Sequence, residues 1–223
     1  MSGRLIAIEG IDGSGKGTQT ERLARTLSER GLRIERLEFP CYETNRFGRL
    51  LRRLLDGDLG PLEHVPPELA AIAFAGDRRE SRADLVAKLA ASDVVLTDRY
   101  TASNIAHQAG RLAGRRQQEL IEFLAWCEFE FFDLIRPDLT VYLAISADVA
   151  SANLQRRAAE TGQPVDLAER DSAHLRQSAA VYGRLAEADG WVRVDCESDG
   201  QMRSLEAIAI DVESSVCEAL DLC

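Results

Sequence analysis

The segment IAIEGIDGSGKGTQT, residues 6–20, constrains this chain more than any other. Apolar Ile6 and Ile8 alternate with their neighbours, then Gly10, Gly13, Gly15 and Gly17 crowd into eight positions. Beyond Lys16, apolar Leu23, Ala24 and Leu27 recur at helix spacing until Gly31 supplies a stop. That order reads as a strand, a glycine-rich turn and a helix. Gly10, Gly15 and Lys16 satisfy the pattern G-x-x-x-x-G-K. Such a turn aims backbone N–H groups and the positive end of a helix at one point, which suits phosphate. Gly10, Gly13, Ser14, Gly15, Lys16, Gly17 and Thr18 are therefore expected to form a nucleotide phosphate site, with Lys16 reaching the outer phosphates. Gly17 stands where such loops usually carry a Ser or Thr hydroxyl for magnesium. The metal is then expected to be held largely by phosphates and water, as magnesium favours, with Thr18 as a further contact.

Four more strand-like segments follow, at Arg33–Phe39, Asp93–Thr97, Leu139–Ile145 and Trp191–Asp195, after a first at Leu5–Glu9. Between them lie helical patterns at Lys16–Arg30, Arg46–Leu55, Pro67 to about Ala91, Thr101–Ala113, Arg115–Leu134, Asp148–Ala159, Asp166–Asp189 and Met202–Leu220. Alternation of strands with one or two helices from end to end predicts an α/β protein, a three-layer P-loop fold whose five-stranded parallel sheet is flanked by helices. Gly162 and Pro164 interrupt the helical pattern, either as the hinge of a small lid over residues 155–170 or as an ordinary surface turn.

A chain of 223 residues, 45% of them hydrophobic, can bury one sizeable core, so residues 1–223 are expected to form a single domain. The net charge of −10 argues against a nucleic-acid-binding surface, which needs an excess of Lys and Arg. It leaves room for a small anion held in one cleft by a few arginines and backbone amides. No apolar run approaches the roughly 18–20 residues that cross a bilayer, and MSGRLIAIEG lacks a signal-peptide core. A cytoplasmic protein with no membrane partner is expected. Cys41, Cys127, Cys196, Cys217 and Cys223 show no CxxC spacing, and are read as reduced thiols without a metal.

A second cluster, VVLTDRYTASNIAHQ, places Asp98, Arg99, Ser103 and Asn104 just after an apolar strand, at the sheet edge where open parallel sheets bind ligands. Asp98 is suited to orient hydrated magnesium, and Arg99 to neutralise phosphate. DRYTASNIAHQ resembles the thymidylate kinase signature DRY-x-x-S-x-x-A-(Tyr or Phe)-Q. EFPCYET, FAGDRRE, PDLTVYLAI and the DLAERD run followed by Tyr182 resemble further segments of that family, in its order and spacing, over nearly the whole chain.

The resemblance implies a kinase with ATP and magnesium that phosphorylates thymidine 5′-monophosphate (dTMP), in a family whose members are commonly homodimers. The helix containing Phe123, Leu124 and Trp126 is a candidate interface or part of the core. The resemblance also implies roles for particular residues. Phe74 would stack on thymine. Arg78, four residues on and so on the same helix face, would touch base and phosphate. Asn104 would contact the base, Arg99 the acceptor phosphate, and Asp12 the deoxyribose hydroxyl and magnesium. Phe39 and Tyr42, around Pro40, keep the shape of the family's FP segment, and Ser103 is the signature serine. Glu169 matches an acid that helps to close the lid, and Asp12, Asp98 and Glu169 are the acids expected near the metal. His107 stands where the family usually has Tyr or Phe beside the sugar, and Cys41 replaces an Arg. The P-loop offers no arginine, so a charge-stabilising arginine is expected from Arg156, Arg157 or Arg170, with Arg157 favoured. Two other readings stand beside this one: another nucleoside monophosphate kinase, suggested by the GKGT form also found in adenylate kinases, and a nucleotide-binding regulatory protein without turnover.

Overall fold

A computed structural model describes residues 3–162 and 172–221. The chain forms β1 (Arg4–Glu9), α1 (Lys16–Glu29), β2 (Ile34–Glu38), α2 (Arg46–Leu55), α3 (Pro67–Glu80), α4 (Arg82–Ala91) and β3 (Val94–Asp98). It continues through α5 (Thr101–Ala109), α6 (Gly114–Trp126), a π-helical turn at Cys127–Phe131, β4 (Leu139–Ala144) and α7 (Ala147–Thr161). Then come α8 (Ser172–Asp189), β5 (Val192–Asp195), the short hairpin β6 (Glu197–Ser198) and β7 (Gln201–Met202), and α9 (Leu205–Leu220).

The five main strands are parallel, in the order β2-β3-β1-β4-β5. The chain winds outward from β1 to β2, returns through β3 and crosses β1 to reach β4, so the order reverses beside β1. Ligands in open α/β sheets bind outside the carboxyl ends of the strands at such a reversal. Side-chain alternation explains why β1 sits at the centre. Ile6 and Ile8 pack with Leu23 and Leu27 of α1, while Leu5 and Ala7 pack with Leu85 and Leu89 of α4. A strand that buries apolar residues on both faces belongs in the middle of a three-layer sandwich.

Where the elements depart from the sequence pattern, specific hydrogen bonds mark the breaks. The helix expected from Pro67 to Ala91 is two helices that meet at Ser81. Apolar periodicity carries across Ser81, but its hydroxyl accepts from Asn45 Nδ2 at 2.7 Å, tying the junction to the loop after β2. The helix expected to run to Leu134 ends as α6 at Trp126 and passes into the π-helical turn, where Phe132 N donates to Cys127 O at 2.9 Å. Met202 lies in the small hairpin, and α9 starts after Ser204, whose Oγ accepts from Ala207 N at 3.1 Å as a helix N-cap. Leu124 belongs to the core, whereas Phe123, Trp126 and Phe131 are exposed. Cys41, Cys127 and Cys196 are free thiols, but Cys217 is disulfide-bonded, against the reading of all five as thiols. Among the described residues no helix is long and apolar enough to cross a membrane.

Candidate functional site

A cleft of about 1650 Å³ opens at the carboxyl ends of β1 and β3 and is lined by the glycine loop, the segment after β2, α3, α5 and α7. On one side lies the loop between β1 and α1. Gly13 has φ 85°, and a Cβ there would lie 2.4 Å from the Ala150 carbonyl oxygen, so only glycine passes between the loop and α7. Asn153 Nδ2 also donates to Gly13 O at 2.7 Å, fastening α7 to the loop. Ser14 is buried with its Oγ unpartnered, Gly15 caps α1 in a left-handed conformation, and Thr18 is exposed at the cleft.

Lys16 bends back on its own loop, donating from Nζ to Ile11 O at 2.8 Å, and lies 3.8 Å from Asp12. Burial and then the nearby Arg99 push its ammonium down to about 8, with Asp12, Asp98 and Glu9 opposing. Gly17 meets a different constraint: a Cβ there would lie 3.0 Å from Asp98 Oδ2. The missing side chain leaves space for the Asp98 carboxylate, whose Oδ1 is buried and unpartnered. A lone carboxylate beside a phosphate loop fits magnesium, which takes one or two carboxylates and completes its shell with phosphates and water. Among the described residues no group of three or more His, Cys, Asp or Glu could hold a metal by itself.

Arg99 follows directly after β3 with φ 65°, a backbone conformation uncommon outside glycine, and its N donates to Ile8 O at 3.1 Å. The strained turn aims its guanidinium at the Asp12 carboxylate, with which it forms an ion pair. Burial raises the Asp12 carboxyl, but Arg99 and Lys16 outweigh it and hold the group well below the usual carboxylate range. Arg99 Nη1 also approaches Ser103 Oγ and His107 Nε2, each at 3.4 Å. A guanidinium only donates, so His107 Nε2 accepts and its Nδ1 keeps the proton that faces His174 Nε2 at 3.3 Å. Burial pushes the His107 imidazole down to about 3 despite Asp12, so the ring is neutral near pH 7.

The far side of the cleft carries Phe39, Tyr42, Phe74, Arg78 and Asn104. Tyr42 and Phe74 pack against the cluster of Leu51, Leu54, Ala70 and Ala73 that joins α2 to α3. Asp77 secures the loop after β2 by accepting from Cys41 N and Asn45 Nδ2, both at 2.9 Å. Arg78 is buried, with Nε donating to Glu128 Oε2 at 3.1 Å and Nη2 to Glu128 Oε1. Asn104 Nδ2 donates to Ala71 O at 3.0 Å and Glu128 Oε1 at 2.6 Å, while its Oδ1 is buried and unpartnered. Arg156 and Arg157, on α7, also line the cleft, and Arg156 donates to Asn153 Oδ1 at 2.6 Å. Glu169 and Arg170 lie outside the described residues.

The glycine-rich loop thus faces an aromatic ring, an arginine and an amide across one cleft. The thymidylate kinase family model matches residues 8–202, which contain this whole arrangement. The chain belongs to the thymidylate kinase family. It is 35% identical over 188 residues to a thymidylate kinase of Mycobacterium tuberculosis (strain CDC 1551 / Oshkosh), covering 84% of this chain and 87% of that protein. Against a thymidylate kinase of Synechococcus sp. (strain CC9902) it is 32% identical over 204 residues, covering 88% and 91%. A thymidylate kinase of Bifidobacterium longum (strain DJO10A) is 29% identical over 222 residues, covering 98% and 99%.

Within this family frame, two carboxylates escaped sequence reasoning. Glu9 is fully buried and accepts from Tyr100 N at 2.8 Å, Ser103 N at 3.2 Å, Ser103 Oγ at 2.6 Å and Tyr182 OH at 3.0 Å. It fastens the start of α5, and with it the DRY segment, to the central strand. The signature serine therefore spends its hydroxyl on Glu9 and Tyr182. Glu128 is the second. Its signal was available: Leu120, Leu124 and Glu128 recur every four residues, so an acid occupies a core-facing position, where Glu is rare unless paired.

Proposed function

We propose that this member of the thymidylate kinase family transfers the γ-phosphoryl group of ATP to dTMP, giving dTDP and ADP. The observation that carries the reading is the single cleft in which Lys16 and the glycine loop face Phe74, Arg78 and Asn104. An oxygen of the dTMP phosphate attacks the γ-phosphorus, and the bond from that phosphorus to the β,γ-bridging oxygen breaks. The acceptor oxygen is already anionic near neutral pH, since phosphate monoesters have a second pKa of about 6. No general base is needed, which agrees with a His107 imidazole that burial leaves too weakly basic to take a proton near neutral pH.

The work of the chain is alignment and charge compensation. Backbone amides from Gly13 to Thr18 and the Lys16 ammonium hold the donor phosphates. Arg99 holds the acceptor phosphate, exchanging part of its Asp12 contact for the ligand. Phe74 stacks on the base while Arg78 and Asn104 read its edge, and Phe39 and Tyr42 close the pocket. Arg157 compensates charge on the group in transit, from a lid over residues 155–170 that also excludes water. Asp98, whose Oδ1 is buried and unpartnered, would hold magnesium together with the nucleotide phosphates, and the ion would supply charge neutralisation there. Asp12, paired with Arg99, and Glu169 would be the further acids near that metal. The whole chain acts as one catalytic domain, in the cytoplasm, without a nucleic-acid partner. Exposed Phe123, Trp126 and Phe131 offer an apolar face for a homodimer.

An assay of ADP release with dTMP, dUMP, UMP and AMP as acceptors tests the reading. The expected best substrate is dTMP. AMP as the best acceptor would favour an adenylate-type kinase, and binding of ATP and dTMP without ADP release would favour a regulatory protein.

Two further results are expected. His107→Tyr places a larger ring beside the sugar and should raise the preference for dUMP over UMP by about tenfold, the scale of one steric contact in a pocket; equal ratios in the two proteins would remove His107 from sugar selection. The second concerns pH. Lys16 in the free protein loses its proton near pH 8, and only the ammonium attracts phosphate. The kcat/KM for ATP should therefore hold below pH 7 and decline through pH 8–9, towards a tenfold loss per pH unit above it. A profile flat to pH 10 would show that Lys16 carries no ordinary share of donor binding.

A further inference from the structure

Glu128 contributes nothing to the wall of the cleft, yet it holds Arg78 and Asn104, the two polar side chains to which reading the base is assigned. It sits on the π-helical turn after α6, an irregularity often found at functional sites. Its carboxylate oxygens only accept, so they dictate the orientation of their partners. Both protons of the Asn104 amide are taken, one by Glu128 Oε1 and one by Ala71 O. Rotating that amide by half a turn would set Oδ1 against a carboxylate and a carbonyl at once. Asn104 therefore has only Oδ1 to offer a ligand, as an acceptor, and that buried atom has no partner in the protein. The same carboxylate fixes Arg78 through two contacts, leaving the remaining guanidinium N–H groups as donors at the cleft.

We propose that Glu128 is the positioning residue that sets base selectivity: by locking Asn104 as an acceptor beside Arg78 as a donor, it makes the pocket select a pyrimidine with a ring N–H next to a carbonyl. Thymine and uracil carry that pattern. Cytosine carries its inverse, an unprotonated ring nitrogen beside an amino group, and would set lone pair against Oδ1 and N–H against guanidinium. A buried polar pattern of this kind rejects a mismatched ligand far more strongly than a missing methyl group does, because its own groups are left unpaired. The proposal rests on the dTMP kinase reading and adds the residue that enforces its choice of base.

The test is Glu128→Gln, which keeps volume and removes charge. A glutamine cannot accept from both Arg78 and Asn104 without turning its own N–H groups towards a donor. With saturating ATP, KM for dTMP should rise about tenfold or more while kcat falls less than about threefold, and the kcat/KM preference for dTMP over dCMP should fall at least about tenfold. A merely structural Glu128 would lower activity towards both acceptors together. A preference within about twofold of the unaltered protein, in a variant that still unfolds cooperatively, overturns the proposal. Should the variant not fold, the unaltered protein decides with dTMP methylated at N3. Binding at least about thirtyfold weaker than dTMP supports an acceptor-only Asn104, and equal binding overturns it. An unaltered protein that prefers AMP would instead remove the dTMP reading itself, and this proposal with it.

Discussion

Lys16→Ala should abolish phosphoryl transfer while leaving the fold intact. Its ammonium lies at the start of α1, on the glycine loop to which donor binding is assigned. Removing a preorganised donor to transition-state charge costs about 10²–10³ in rate at other oxyanion sites. A lysine that also bridges the outer phosphates should cost at least that in kcat/KM for ATP. Stability should move little. The folded pKa of Lys16 lies below its ordinary value, because burial and Arg99 disfavour the ammonium. The charged form therefore costs folding free energy at every pH below about 8, and that cost disappears as pH rises past the unfolded value. Alanine removes the cost together with the Ile11 hydrogen bond, two effects of opposite sign. The expected melting temperature at pH 7 is unchanged or slightly higher. Residual kcat/KM within tenfold of the unaltered protein would place donor binding elsewhere.

Lys16 and its loop were legible because everything that defines them is local. The alternation of Ile6 and Ile8, the glycines and the helix after Lys16 lie within one continuous stretch, and their geometry follows from adjacent residues. The sheet was legible for a related reason: its strands are short apolar runs separated by helical periodicity, and parallel order follows from that alternation. What escaped depends on residues far apart in the chain. Glu9 acts on Tyr182, Glu128 on Arg78, and Ser81 on Asn45, and no window of sequence contains both partners. The break at Ser81 is invisible in helix periodicity because a loop from elsewhere imposes it. Gly17 is intermediate. Its departure from the usual loop was plain in the sequence, but the Asp98 carboxylate that its missing side chain accommodates appears only once β3 lies beside β1.

Arg78 shows most sharply how the structure changes an expectation. As a cation on a helix face one turn from Phe74, it reads as a ligand contact whose loss mainly weakens monophosphate binding. In the fold it is also half of an ion pair in which Arg78 is 3% and Glu128 0% exposed. Arg78→Ala leaves a buried carboxylate without its cation, and breaking such a pair costs about 3–5 kcal/mol. For a chain of this length that corresponds to a fall of about 10 °C or more in melting temperature. Burial already pushes the Glu128 carboxyl above its ordinary range, with Arg78 opposing, so the abandoned group should take up a proton. A protonated Glu128 can donate, which frees the Asn104 amide to turn. KM for dTMP should therefore rise about 100-fold or more, through the lost guanidinium and the unlocked amide together. The double variant Arg78→Leu with Glu128→Leu separates the two consequences. Replacing both members of a buried pair by apolar residues of similar volume is often neutral or stabilising, so the melting temperature should recover. The affinity for dTMP should stay low, since neither the donor nor the restraint on Asn104 returns. If Arg78→Ala lowers the melting temperature but leaves KM for dTMP within threefold, Arg78 belongs to the core alone, and the base must be read by other groups.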